Sequence, residues 1–200
     1  PHGHRPQELN LAKFLLWTGP RISEALAFAW DDVVDLERGI IVFKRAKVMR
    51  QYKSTKTRRS KREVELLAPA REALKAQWEI TGALPPVEIE VMQRDNRTVK
   101  REEVKIVFMN TRTGKAHYSD WTVRTEFWQH HLERAGVRYR PINQCRHTCI
   151  SQMLTADMPI EWISKQVGTS PTMIERRYGK WINSDATDTV GVADRRLGFR

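Results

Sequence analysis

Residues 138–154 read RYRPINQCRHTCISQML. Cys145, Cys149, Ile150, Met153 and Leu154 recur at three- and four-residue intervals, which predicts a helix over 143–155 with one apolar face. Arg146 lies beside that face, half surrounded by core positions. A guanidinium so placed needs an anionic partner, supplied by the protein or by a ligand. The two cysteines stand four apart on one helix, a poor arrangement for a disulfide, and are expected to be reduced core residues.

Outward from this helix the chain divides into short elements. Downstream, 159–167 (PIEWISKQV) and 171–181 (PTMIERRYGKW) carry helical apolar spacing, and the residues from Asn183 onward are polar. Upstream, 119–135 predicts a helix closed by Gly136, and 87–110 alternates apolar and polar residues as paired strands do. Pro69 opens a helix over 69–80 that Thr81-Gly82 ends. Three stretches, 39–44, 47–53 and 61–66, predict strands of an antiparallel sheet whose tip, KSTKTRRSK at 53–61, is strongly basic. Helices are expected at 7–17 and 21–29, separated by Thr18-Gly19-Pro20, with a turn at Asp31-Asp32. The fold class expected is α+β, mostly helical, with a small antiparallel β-sheet near the front.

The 200 residues suit a single domain. Lys and Arg number 35 against 24 Asp and Glu, a net charge of +11, which favours a polyanionic partner, most often nucleic acid. No apolar run is long enough to span a bilayer, so no membrane partner is expected. The acidic residues form no two-metal pattern, no Cys/His set has zinc spacing, and no phosphate-binding glycine loop is present. No metal or other cofactor is therefore expected. The chain begins at Pro1 and reads as a piece of a longer protein, with His2 and His4 part of a flexible start.

Three further phrases carry chemistry. In TGPRISEAL (18–26), Arg21 falls in the first turn of a helix, where its guanidinium can fork onto one phosphate and Glu24 can brace it. The basic tip offers Lys56 in STKT. Tyr178 lies in IERRYGKW, a phenol flanked by Arg176, Arg177 and Lys180. Two arginines on one phosphate would stabilise a pentavalent transition state, and a phenol oxygen could attack its phosphorus. From the residues alone, Arg21 and Glu24 also read as a surface helical pair, Tyr178 as core filler, the usual fate of a tyrosine, and His147 as a packing residue.

The order of these phrases, TG-x-R-x-x-E, then a basic β-hairpin with a lysine, then R-H-T, then Gly168 and Tyr178, resembles the tyrosine recombinases, or phage integrases, along about 8–182. The resemblance is strongest to integrases of temperate phages and prophages. It implies a catalytic domain in which Arg21 and Arg146 clamp the phosphate and Glu24 supports the first clamp. Tyr178 would form a 3′-phosphotyrosyl link, and Lys56 would protonate the leaving 5′ oxygen, with Lys53 and Lys61 competing for that role. Two positions depart from the family pattern: Asn143 stands where H-x-x-R has its histidine, and Thr169 follows the glycine where His or Trp is usual. Asn can hydrogen-bond but cannot titrate. Contacts to DNA are expected from Lys53, Arg58, Arg59, Lys61, His147, Arg176, Arg177 and Lys180.

By the same resemblance, the partners are double-stranded DNA attachment sites and other protomers in a tetrameric synapse, with the segment 183–200 exchanged between neighbours. The one or two DNA-binding domains that precede this domain in family members are missing from these residues. The setting implied is the cytoplasm of a bacterial host, at the nucleoid. The activity implied is site-specific DNA breakage and rejoining. Type IB topoisomerase-like cleavage and a catalytically weak or silent DNA-binding module are the alternatives.

Overall fold

The computed structural model describes residues 6–54 and 62–181. Lys56, Arg58, Arg59 and Lys61, together with the segment 183–200, lie outside the described residues. In chain order the elements are α1 (Pro6–Thr18), α2 (Ile22–Ala25), β1 (Val33–Asp35), β2 (Ile40–Phe43), β3 (Arg45–Val48), β4 (Gln51–Ser54), β5 (Arg62–Glu65), α3 (Ala68–Thr81), β6 (Val87–Met92) and β7 (Val99–Val104). Then come α4 (Asp120–Val123), running through a π-helical turn at Arg124–Trp128 into α5 (Gln129–Arg134), and α6 (Gln144–Thr155), α7 (Ile160–Val167) and α8 (Pro171–Tyr178), which ends in a 3-10 turn at Gly179–Trp181. The mixed, mainly helical class expected from the sequence is borne out.

Three apolar clusters organise these elements. Phe14, Phe28, Phe43 and Phe108 form the centre of the first, with the Phe14 ring 5.3 Å from both Phe28 and Phe108. Gln77 is buried beside them and fully bonded: it donates to Gln7 and to the Val107 carbonyl and accepts from Asn10, tying α1, α3 and the 107 segment together. A buried amide that meets its partners in this way does not incur the desolvation cost of an orphan. The second cluster joins α6, α7 and α8 through Cys149, Ile150, Met153, Ile163, Val167 and Ile174. Cys145 and Cys149 are free and buried, and burial pushes both thiols up to about 12. The third cluster lines the β-sheet that contains Tyr52, Ile89, Val91 and Val104.

The strands differ from the sequence expectation in their pairing and in the stretch 47–53. Among the described residues there are two sheets: β1-β2-β5, antiparallel, and β3-β4-β6-β7, in which β4 and β6 run parallel. The stretch expected as one strand over 47–53 folds back on itself, with Val48 opposite Gln51 and Met49 at φ +54°. Because Met49 takes the position that Gly or Asn usually holds, the turn has no composition signal. Beyond it, β4 pairs with β3 and β6, whereas β5 pairs with β2. The two strands that flank the basic segment, expected as the arms of one hairpin, thus lie in different sheets and are not bonded to each other. Arg45 joins the layers, donating at 2.6 Å to Asp32 and at 2.6 Å to Glu102.

The helix expected over 21–29 is one turn long. Beyond Ala25 the backbone turns to the chain at 105–107 for partners, Val107 N–H donating to Phe28 and Trp30 N–H to Lys105.

Candidate active site

Three local structures present the candidate side chains. At the start of α2, the Glu24 carboxylate reaches back to the Arg21 amide at 2.8 Å, occupying one of the free donors of the helix start, and accepts from the Arg21 guanidinium at 3.2 Å. At the start of α8, Ser170 Oγ accepts from the Met173 amide and Pro171 holds the first helical position, a sequence well suited to begin a helix there. Between α7 and α8, Gly168 adopts φ +69°, which closes α7 with its amide on the Ser164 carbonyl.

These ends converge on a cavity of about 600 Å³. Arg21, Asn143, Arg146, His147, Thr169, Arg177 and Tyr178 all border it. So do residues the sequence did not single out, among them Lys47, Met49 and Asp120. Arg21 is exposed at the rim, with half its side chain accessible. Arg146 sits deeper, one Nη donating to the Gly19 carbonyl at 2.7 Å and the Val167 carbonyl at 2.6 Å. Burial lowers its pKa to about 10, with Arg21 and Arg62 adding to the effect against Glu24, so it remains cationic at neutral pH. Two neutral carbonyls orient Arg146 but do not cancel its charge.

Tyr178 closes the cavity floor, its ring buried and its hydroxyl 2.6 Å from His147 Nδ1. Burial raises its pKa, against the pull of Arg146 and Arg177. Burial first, then Arg177 and Arg146, lowers the pKa of His147, so its ring is neutral at physiological pH. Asn143 occupies the N-cap of α6, exposed at the cavity edge. Of the expected DNA-contacting residues, Arg177 borders the cavity, Arg176 and Lys180 are exposed on the same helix end, and Lys53 lies half-buried on β4. His147 faces Tyr178.

The sequence reading missed Arg62. Its guanidinium forks onto both oxygens of Glu24 at 3.0 and 3.1 Å, its Nε donates to the Gln166 carbonyl, and its face lies 4.6 Å from the Phe43 ring centre. Burial alone would raise the Glu24 carboxyl, but the Arg62 fork, supported by Arg21, outweighs it and holds the group below the usual carboxylate range. Arg62 thus braces Glu24, which braces Arg21, and the same residue anchors the end of α7 ahead of Gly168. A signal was present: in REVEL the inward positions of an alternating strand are Arg62, Val64 and Leu66. A cation in register with two core residues marks a buried pair.

An open cavity bounded by separated arginines and a phenol suits a large phosphate ester. Residues 4–180 match the model described as "Phage integrase family". The chain is 33% identical to Prophage integrase IntR of Escherichia coli (strain K12), an alignment covering 96% of this chain and 47% of that protein. It is 27% identical to Putative defective protein IntQ of the same organism, covering 96% and 49%. The chain thus spans about half the length of these curated relatives. Among solved structures, the Tn1549 transposon integrase in complex with transposon right end DNA superposes with a TM-score of 0.66 at 16% identity, covering 94% of this chain and 58% of that one. XerA recombinase gives 0.63 at 15%, covering 98% and 58%. The fold is one that integrases and recombinases share. The chain belongs to the phage integrase family, and the resemblance drawn from its motifs is borne out.

Proposed function

We propose that the chain is the catalytic domain of a tyrosine recombinase that breaks and rejoins DNA at specific sites to integrate or excise a mobile element. The observation that carries this reading is the single cavity on which Arg21, Arg146 and Tyr178 meet from three distant parts of the chain. The scissile phosphate sits between the two guanidinium groups, which stabilise the charge that grows on its non-bridging oxygens. Tyr178 Oη attacks phosphorus, forming the 3′-phosphotyrosyl link, and the 5′ oxygen leaves with a proton from Lys56. Thr169 hydrogen-bonds a phosphate oxygen. Phosphodiester bond energy is kept in the tyrosyl ester, so rejoining needs only a 5′-hydroxyl as nucleophile.

The substrates are double-stranded attachment sites, and protomers pair into a tetrameric synapse on two duplexes. Arg176, Arg177 and Lys180 hold backbone phosphates beside the break. The chemistry belongs to the bacterial cytoplasm, where the nucleoid supplies the target. A nicked duplex carrying the junction sequences of the element traps the covalent product, because the short strand beyond the break diffuses away. A denaturing gel is expected to show a protein–DNA band for this chain and none for Tyr178→Phe. DNA binding without a band in either protein would identify a silent DNA-binding module instead.

A further inference from the structure

The proposed chemistry leaves one proton without a destination, that of the Tyr178 hydroxyl. Burial holds this phenol above its ordinary pKa, so it does not arrive ionised and an acceptor must take its proton during attack. Asn143, at the position where the family pattern places histidine, cannot take up a proton. One helical turn further along the same face of α6 stands His147, whose Nδ1 is 2.6 Å from Tyr178 Oη and whose ring lies 5.6 Å from the tyrosine ring, tilted by 36°. The groups around this pair are cationic: Arg146 on α6, Arg177 on α8, and Arg21 and Lys47 across the cavity, with Asp120 the one carboxylate among the lining residues. Burial first, then Arg177 and Arg146, holds the imidazole below its ordinary pKa, and the 2.6 Å contact places Nδ1 where it can receive the phenol proton.

We propose that His147 is the catalytic base of the cleavage step, taking over at one turn's distance the proton-accepting work that Asn143 cannot do. Its Nδ1 accepts the Tyr178 proton as Oη bonds to phosphorus. The P–O5′ bond breaks with its electron pair on the 5′ oxygen, which is protonated by a lysine ammonium of this chain, Lys56 in the scheme above. In rejoining, a 5′-hydroxyl gives its proton back to the lysine amine as it attacks phosphorus, the P–Oη bond breaks with its electron pair on Oη, and the imidazolium returns its proton to Tyr178. The inference rests on Tyr178 being the nucleophile.

Three substitutions test it in single-turnover cleavage of the nicked duplex. His147→Asn keeps an acceptor near the place of Nδ1 but cannot carry a proton. His147→Ala removes both functions, and Lys56→Ala serves as the leaving-group control. At saturating protein, where a change in duplex binding does not enter, His147→Asn and His147→Ala are each expected to slow covalent product formation by about 10²–10⁴-fold. The rise in rate with pH through the histidine range is expected to disappear in both. A 5′-bridging phosphorothiolate, whose thiolate leaves without protonation, is expected to restore Lys56→Ala but neither His147 variant. Cleavage by His147→Asn within about threefold of the parent would reduce His147 to a positioning hydrogen bond and overturn the proposal. Restoration of His147→Asn by the phosphorothiolate would move the residue to the leaving-group side, with the same consequence. Absence of a covalent band in the parent protein itself would remove the nucleophile, and the base with it.

Discussion

Glu24 holds two arginines with one carboxylate. It is 3% exposed, Arg62 is 7% exposed, and their two parallel hydrogen bonds make them a pair that cannot be broken from one side cheaply. Glu24→Gln leaves the Arg62 cation buried against a neutral amide and is expected to destabilise the fold by about 3–5 kcal/mol, measured by urea unfolding at neutral pH. The sign of the pH dependence follows from the depressed carboxyl. Its stabilising contribution is complete above the pKa of the unfolded carboxyl and is lost as pH falls through the lower folded value. Acidification through that window should therefore cost the parent more stability than Glu24→Gln. Arg146 makes a different demand, for donors in one plane. Its fork turns one nitrogen to two carbonyls and keeps other N–H groups for phosphate, which a lysine cannot do. Arg146→Lys is expected to reduce covalent product formation by about 10²–10³-fold in the nicked-duplex assay.

At the scale of elements, the loop between α7 and α8 is fixed by Gly168 and by the Arg62 contact to the Gln166 carbonyl. Gly168 is required there twice. Its φ of +69° disfavours any side chain, and a Cβ at that position would stand 2.9 Å from Arg62 Nη1. Gly168→Ala is expected to cost about 1–2 kcal/mol for the backbone alone, with a further loss as Arg62 is pushed off Glu24. A lower urea midpoint with reduced cleavage by the remaining folded protein would register both. This loop was legible in the sequence, because a glycine closing an apolar helix and a Ser-Pro opening the next are local signals. So were α1, α3, α6 and α8, each with its own apolar spacing or breaker. The turn at Met49 was not, since no glycine or asparagine marks it. The sheet partners of β4 and β5 were not either, because strand pairing is a long-range choice that period-two patterning leaves open. Arg62 fell between these cases: its alternation with Val64 and Leu66 was visible, but its partner Glu24 lies 38 residues away.

For the whole molecule, the net charge of +11 favours a polyanion, and under the proposed function its distribution decides which cations meet phosphate. Many basic side chains are already matched. Arg101 lies between Glu88 and Glu90, and Arg45 between Asp32 and Glu102. A guanidinium held by carboxylates releases few counterions from a duplex, because its charge is compensated before DNA arrives. Arg177 borders the cavity at the exposed end of α8, where a backbone phosphate flanking the break would pass. Each phosphate contact contributes about −0.9 to the slope of log K against log salt concentration. Arg177→Ala is expected to flatten that slope by about 0.9 and to weaken cognate and unrelated duplexes alike, since a phosphate contact carries no base information. Arg101→Ala is expected to leave the slope unchanged. Titrations of both variants between about 50 and 200 mM salt make the comparison. Equal slopes for the two would mean that DNA does not approach along the face of α8, and the placement of the scissile phosphate over Tyr178 would fail with it.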